Sequence, residues 1–171
     1  MSQHRVWVYG DNVNTDVIFP GKYTYTVQDA GALAAHALED LDPTFAANVQ
    51  SGDVIVAGRN WGCGSSREQA VTALKHAGVN LIIAESFSGL YYRNCINQGV
   101  LPVVLPDFRQ HVRTGDILDI DLDAGIISTT TTAVAMPPLS PSVRAILDAG
   151  GLLPMLQARF AAAGEDENVA V

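Results

Sequence analysis

The sequence predicts an α/β domain with a mainly parallel central sheet, a C-terminal β-hairpin and flanking helices. Three short apolar runs, at residues 53–58, 81–84 and 101–105, are typical of strands buried on both faces. Segments with helical spacing separate them, and this order implies right-handed crossovers and parallel pairing. A chain of 171 residues can bury one such core, so we expect a single β/β/α domain.

The elements before the last apolar run are predicted from periodicity and turn residues. A first strand precedes a polar loop, and loops are where binding residues concentrate. The expected order is a strand at residues 5–9, a loop reaching residue 21, one or two helices within 27–48 interrupted at Asp42 and Pro43, a loop at 59–64, a helix from Ser65 to about Gly78, and a helix at 87–98 closed by Gly99.

The second half of the chain changes character. Residues 115–122 alternate with period two, and a tight turn leads into residues 126–130, which predicts a β-hairpin. Ser140 and Pro141 are a typical N-cap and first residue of a further helix. A last helix is expected after Pro154.

The C-terminal end is acidic, and we expect residues 164–171 to be a disordered tail. The folded domain would then span residues 1–163. No segment reaches the roughly 20 apolar residues that a membrane span needs, and no signal peptide is evident, so a cytoplasmic protein is expected.

Charge and cysteine content exclude several functions. A formal net charge of −8 opposes binding to nucleic acids or anionic membranes, so an anionic ligand needs a local cationic site. Cys63 and Cys95 are the only cysteines, too few to hold an iron–sulfur cluster or a zinc ion by themselves. We therefore expect no cofactor bound by this chain, and any metal would come from another chain.

Chemically informative residues cluster at 62–68. Ser65 and Glu68 fit a capping box, and the nearby glycines allow a ligand to approach the backbone. Arg67 offers a planar fork suited to a carboxylate. The segment is either an anion site at a helix N-terminus or merely a capped helix start with a surface arginine.

Three motifs resemble the swivelling domain of the aconitase family. The first is Gly-Arg-Asn-Trp-Gly-Cys-Gly-Ser-Ser-Arg-Glu at 58–68, and the second is Asn-Thr-Asp-Val-Ile-Phe-Pro at 14–20. The third comprises Ala-Glu-Ser-Phe at 84–87, Tyr-Arg-Asn at 92–94 and Gly-Val-Leu-Pro at 99–102. They follow the family's order and cover most of the chain.

The resemblance implies a half-enzyme, a swivelling β/β/α domain that closes over a large iron–sulfur subunit. In this family the partner's 4Fe–4S cluster binds a hydroxy-dicarboxylate, and the hydro-lyase removes water and adds it back at the neighbouring carbon. By matching motifs, Ser65 is the catalytic base, Ser66 and Arg67 bind the substrate's carboxylate, and Asp16 handles protons. Asp16 could otherwise belong to an Asx turn.

The resemblance also assigns substrate recognition to the loop after Pro20, where we expect Lys22, Tyr25 and Thr26 to contact substrate. Tyr25 suits a less charged group than an arginine would, which favours isopropylmalate over homoaconitate. Arg93 and Asn94 belong either to the active-site wall or to an interface. Gly89 stands where many relatives carry arginine.

Other functions stay open from the sequence. A related half-enzyme could act on homoaconitate, citraconate or a methylated malate. A non-catalytic module could instead keep the anion site and serve as an assembly partner.

Overall fold

The computed structural model describes residues 2–167 and contains seven strands and seven α-helices within them. The strands are Ser2–Val8 (β1), Val54–Ala57 (β2), Leu81–Ala84 (β3), Leu101–Val104 (β4), Ile117–Asp121 (β5), Ile126–Ser128 (β6) and Ala133–Ala135 (β7). The helices are Thr15–Ile18 (α1), Ala30–Ala35 (α2), Phe45–Asn48 (α3), Gln69–His76 (α4), Gly89–Gln98 (α5), Pro141–Asp148 (α6) and Leu152–Glu167 (α7).

One sheet joins all seven strands, in the order β4-β3-β2-β1-β5-β6-β7. Strands β1 to β4 pair in parallel, with Val6 opposite Val54. On its other side β1 pairs antiparallel with β5, and β5 to β7 continue as a meander. The predicted α/β class, with a parallel sheet and a C-terminal hairpin, is confirmed.

The parallel strands are apolar on both faces because both faces are covered. Alternate side chains point to opposite sides, so each strand contributes to two cores. Ile55, Ala57, Ile82 and Ala84 join the core that α2, α4 and α5 cover, whereas Val54, Val56, Leu81 and Ile83 join the core shared with β5 and β6. The apolar runs of the sequence therefore predicted these strands correctly.

The two edges of the sheet are β4 and β7. In β4, the N–H groups of Leu101 and Leu105 point toward β3, because they donate to Asn80 and Ala84. Pro102 lies between them, so its nitrogen faces the outer edge, where it has no proton to donate. Strand β7 is three residues long.

Some elements differ from prediction. Helix α1 lies in a segment that we expected to be a loop, and strand β7 was not predicted. Helix α7 begins two residues before Pro154 and continues through residues 164–167 of the predicted tail, while 168–171 lie outside the described residues. The domain boundary at residue 163 stays a prediction. Within residues 2–167, no helix is long and apolar enough to cross a bilayer.

Candidate active site

Two loops meet where β1 and β2 end. Because parallel neighbouring strands finish at the same edge of a sheet, the segments that follow them run side by side. The N–H of Asn12 donates to the carbonyl of Arg59 at 2.8 Å, and the N–H of Thr15 donates to that of Cys63, also at 2.8 Å. In return, the N–H of Gly62 donates to the carbonyl of Val13.

We call residues 58–68 the catalytic segment. Its centre is fixed by packing, since Trp61 is fully buried and a Cβ on Gly62 would lie 2.1 Å from the Tyr91 ring. Gly62 also has a φ of +73°, which favours glycine. Helix α5, which carries Tyr91, is therefore packed directly against the segment.

The predicted capping box at Ser65 and Glu68 is wrong. Helix α4 begins at Gln69 with Glu68 at the N-cap, and no side chain caps it. The Glu68 carboxylate instead accepts a hydrogen bond from Gln98 Nε2 at 2.5 Å. Ser65 lies in the loop before the helix, where its hydroxyl contacts Thr15, fifty residues earlier in the chain, and Arg67.

Ser65 is exposed, and two side chains contact its hydroxyl. Arg67 Nε donates to Ser65 Oγ at 2.8 Å, and Thr15 Oγ1 lies 3.1 Å from the same atom. Thr15 Oγ1 also donates to the backbone carbonyl of Ser65 at 3.0 Å. Side-chain donors thus surround Ser65 in place of the expected helix amides.

Arg67 links three parts of the site. Besides Ser65, it donates from Nη1 to Thr24 Oγ1 at 3.2 Å and forms an ion pair through Nη2 with Asp16. The Arg67 side chain is 18% exposed and that of Asp16 is 62% exposed. A guanidinium has five N–H groups, so these contacts leave two for a further acceptor.

Asp16 lies in the first turn of α1, next to the predicted Asx cap. Asn14 Oδ1 accepts from the N–H of Val17 at 2.9 Å, so the asparagine caps this helix. The cap leaves the Asp16 carboxylate directed at Arg67. The structure therefore combines both interpretations of the motif: a local cap and a carboxylate at the site.

We call residues 21–26 the recognition segment. Its anchor is Glu39, which accepts from Lys22 Nζ at 2.8 Å and from Tyr23 OH at 3.1 Å, and lies 2.5 Å from His36 Nδ1. The hydrogen bond from Lys22, followed by that from His36, lowers the pKa of Glu39 to about 2. Lys22 is thus engaged within the chain.

Tyr25 and Thr26 behave differently from Lys22. Tyr25 is 92% exposed, and Thr26 is also exposed. Their side chains make no hydrogen bond within the described residues, whereas neighbouring Thr24 contacts Arg67. The recognition segment therefore exposes the side chains of Tyr25 and Thr26 at the protein surface.

Of the two predicted residues on α5, the structure brings one to the site. Asn94 Nδ2 donates to the carbonyl of Ser66 at 3.3 Å. Arg93 is exposed, and its Nε donates to the carbonyl of Gly89 one turn earlier. A Cβ on Gly89 would meet nothing within 4 Å, so the space beside Gly89 is open.

A rim of alternating charges, which the sequence analysis missed, follows the ends of the parallel strands. Arg59 lies 3.5 Å from Asp11 and 3.9 Å from Glu85, and Arg109 lies 3.7 and 3.6 Å from the same two carboxylates. The N–H of Arg59 and then the two guanidiniums lower the pKa of Asp11. The rim binds together the loops that leave β1 to β4.

Thr15 and Thr24 were also missed as site residues. Their contacts join positions 50 and 43 residues apart, and no local spacing indicates such a pair. Thr15 lies inside the Asn-Thr-Asp motif, and its position beside Asp16 was the available signal.

The side chains of residues 2–167 do not fit an iron–sulfur cluster. Among residues 2–167, no group of three or more His, Cys, Asp or Glu side chains could hold a metal ion. Cys95 is buried, and burial raises the pKa of its thiol well above the ordinary value.

A cavity of about 620 Å³ lies between β4, the β5–β6 turn and α6, and no predicted site residue lines it.

Fold and site together define a domain that presents a serine and an arginine at the ends of parallel strands. Residues 12–108 match the family model of the aconitase C-terminal domain. The chain is 50% identical over 151 residues to the methanogen homoaconitase small subunit of Methanothermobacter thermautotrophicus, covering 87% of this chain and 86% of the relative.

Further relatives agree. The 3-isopropylmalate dehydratase small subunit of Pyrobaculum calidifontis is 48% identical over 158 residues, covering 91% of this chain and 96% of that one. The crystal structure of a 3-isopropylmalate dehydratase from Methanocaldococcus jannaschii superposes with a TM-score of 0.89 at 40% identity, covering 96% and 98% of the two chains. The chain belongs to the aconitase C-terminal domain family, as a small subunit of a hydro-lyase of the 3-isopropylmalate dehydratase and homoaconitase type.

Proposed function

We propose that this chain supplies the catalytic base and part of the carboxylate site to a large iron–sulfur subunit, and that the pair interconverts 2- and 3-isopropylmalate by dehydration and rehydration. The observation that carries the proposal is the hydrogen bond from Arg67 Nε to Ser65 Oγ at 2.8 Å. A neutral serine is a weak base, and a cationic donor on its oxygen stabilises the alkoxide form.

In this role, Ser65 takes the carbon-bound proton. The two N–H groups that Arg67 leaves unused can receive the substrate's carboxylate, together with the exposed hydroxyl of Ser66. Asp16 already pairs with Arg67 and is largely exposed, so it can turn aside when substrate binds and exchange protons with solvent.

The partner subunit is needed for two reasons. Ser65 and Ser66 lie on the surface rather than in an enclosed cavity, and water at such a site would compete for the alkoxide. Residues 2–167 also offer no group of ligands for the cluster that, in the aconitase family, binds the substrate's hydroxyl as a Lewis acid. A large subunit closing over Ser65 would meet both needs.

Isopropylmalate is favoured over substrates with an additional carboxylate. Lys22 is the only cation in the recognition segment, and its ammonium is paired with Glu39 at 2.8 Å. Tyr25, which the segment exposes, suits an apolar branch better than an anion. The second candidate is homoaconitate, because a relative at 50% identity is a homoaconitase small subunit.

The test is turnover by the chain combined anaerobically with its cluster-bearing large subunit. We expect isopropylmalate to be dehydrated only by the mixture, and Ser65→Ala to lower kcat by about 100- to 10,000-fold. Ser142→Ala, which removes an exposed hydroxyl on α6, serves as the control and should leave kcat unchanged.

Three results would redirect the proposal. Full activity of Ser65→Ala would remove Ser65 as the base. A higher kcat/KM for homoaconitate than for isopropylmalate would select the second candidate. Absence of turnover with isopropylmalate, homoaconitate, citraconate and methylated malates would favour a non-catalytic carboxylate-binding module.

A further inference from the structure

We propose that Thr15 is a positioning residue for Ser65, and that its hydroxyl proton alternates between two acceptors on that serine during turnover. The inference rests on the proposed role of Ser65 as the base. It concerns a residue that contacts neither the predicted substrate position nor a metal. Its basis is the unusual pair of contacts that one buried hydroxyl makes to one residue.

The geometry places a single hydroxyl between two oxygens of Ser65. Thr15 Oγ1 is 3.0 Å from the carbonyl oxygen of Ser65 and 3.1 Å from Ser65 Oγ. Thr15 is 1% exposed, so water does not compete for its hydroxyl. Its backbone N–H donates to the carbonyl of Cys63 at 2.8 Å, which fixes the threonine relative to the catalytic segment.

The two contacts cannot both receive the threonine's proton. A threonine hydroxyl has one proton and two lone pairs. While Ser65 carries its own proton, it can donate to Thr15 Oγ1, and Thr15 then donates to the Ser65 carbonyl. When Ser65 is an alkoxide, it has no proton to give, and its oxygen is the stronger acceptor.

Rotation of the Thr15 hydroxyl about its Cβ–Oγ1 bond satisfies the alkoxide. Ser65 Oγ then receives two hydrogen bonds, one from Thr15 and one from Arg67 Nε. When Ser65 takes the substrate's carbon-bound proton, the C–H electron pair forms the double bond, and the substrate's hydroxyl leaves with the C–O pair as hydroxide, which the Lewis acid of the large subunit would accept. The new Ser65 hydroxyl donates to Thr15 again, and the Thr15 proton returns to the carbonyl.

The local backbone explains why a side chain has this role. Helix α4 begins only at Gln69, and the N–H groups of Ala70 and Val71 in its first turn donate to the carbonyls of Arg67 and Glu68, so they do not serve Ser65. Gly64, with a φ of +95°, turns the chain so that Ser65 faces Thr15. The Cβ that Gly64 lacks would lie in ordinary van der Waals contact with Thr15 Oγ1, at 3.5 Å, so the positive φ and not a lack of space favours glycine here.

Two substitutions separate the hydroxyl from the shape of the side chain. Thr15→Val keeps the branched shape and loses the hydroxyl, whereas Thr15→Ser keeps the hydroxyl and loses the methyl group. In the assembled two-chain enzyme, we expect Thr15→Val to lower kcat by about 10- to 100-fold, with KM changed by less than about twofold. We expect Thr15→Ser to keep kcat within about threefold of the wild type.

If Thr15 had a purely structural role, kcat would not fall more in Thr15→Val than in Thr15→Ser. Wild-type kcat in Thr15→Val, or an equal loss of kcat in both variants with a lower unfolding temperature, would overturn the inference. If Thr15→Val fails to fold, Thr15→Ala takes its place and must show the same fall in kcat at unchanged KM.

Ser65→Ala, measured alongside, keeps the two ideas apart. If Ser65→Ala is inactive and Thr15→Val is fully active, only the role of Thr15 fails. If Ser65→Ala turns over at the wild-type rate, the proposed function itself fails.

Discussion

The catalytic segment and the recognition segment meet at Arg67, yet they are held in different ways. The catalytic segment is fixed by the backbone bonds of Gly62 and by the burial of Trp61 against the core. The recognition segment is fixed mainly by side chains that converge on Glu39, and its tip, Tyr25, is exposed. The comparison teaches that packing and backbone hydrogen bonds place the catalytic segment, whereas polar side-chain contacts, which substitution can change, place the recognition segment.

The largest effect should come from breaking the packing of the catalytic segment. Gly62→Ala places a Cβ 2.1 Å from the Tyr91 ring at a φ of +73°, so we expect it to lower the free energy of unfolding by about 3 kcal/mol. Urea denaturation measures the change. Gly89→Ala is the control, because its Cβ meets nothing and the substitution should be neutral or slightly stabilising. A loss below about 1 kcal/mol in Gly62→Ala would mean that the segment is not fixed by this contact.

The next effect concerns the residue shared by both segments. Arg67→Lys replaces a fork that reaches Ser65, Thr24 and Asp16 with one ammonium, so kcat/KM should fall about 100-fold. The unfolding free energy should change little, because the lost contacts lie near the surface. Steady-state kinetics of the two-chain enzyme gives the first value, and urea denaturation the second.

Arg113→Lys is the matched control for Arg67→Lys, since Arg113 is an exposed arginine whose side chain has no partner within residues 2–167. It should match the wild type in both measurements. If Arg67→Lys kept full kcat/KM, a point charge would suffice and the fork geometry would have no role.

The smallest effect should come from releasing the recognition segment. In Glu39→Gln the contact with Lys22 loses its charge, and we expect KM for isopropylmalate to change about threefold with little change in kcat. Asp40→Asn is the control, because the Asp40 side chain makes no hydrogen bond in the described part of the chain. An unchanged KM would indicate that the Lys22–Glu39 pair does not shape the substrate site.

The same pair predicts a pH dependence. The pKa of Glu39 falls from its ordinary value of 4.5 to about 2 in the folded chain, so the folded state binds the proton less readily than the unfolded state. Its stabilisation is therefore present above pH 4.5 and is lost as pH falls toward 2. Denaturation across this range should show the wild type losing stability more steeply than Glu39→Gln, and parallel curves would contradict the assignment.

How well the sequence predicted each region follows from what stabilises it. Strands β2 to β4 were predicted because burial on both faces requires continuous apolar runs, which a sequence displays directly. Strand β7 was missed because it is short, partly exposed and built from alanine and valine beside threonines. Its structure depends on pairing with β6, which local composition does not encode.

The sequence predicted which residues belong to the site, but it did not predict which of them contact one another. Ser65, Arg67 and Asp16 were identified from motifs, and the structure places all three within one connected set of contacts. The capping box failed because Ser65 is bound by Thr15, fifty residues earlier, in preference to the local backbone. The capping-box rule uses only residues a few positions apart, so it does not take account of the hydrogen bond between Thr15 and Ser65, which forms only when the sheet folds.

The edge strands β4 and β7 affect whether the chain aggregates before it assembles with a partner subunit. A strand from another molecule that docked against β4 would find no proton on the Pro102 nitrogen, and one that docked against β7 would find only three residues to pair with. Ribbons built by edge-to-edge pairing are therefore disfavoured. A freshly synthesised subunit can thus accumulate without aggregating through its sheet while its larger partner is still being made.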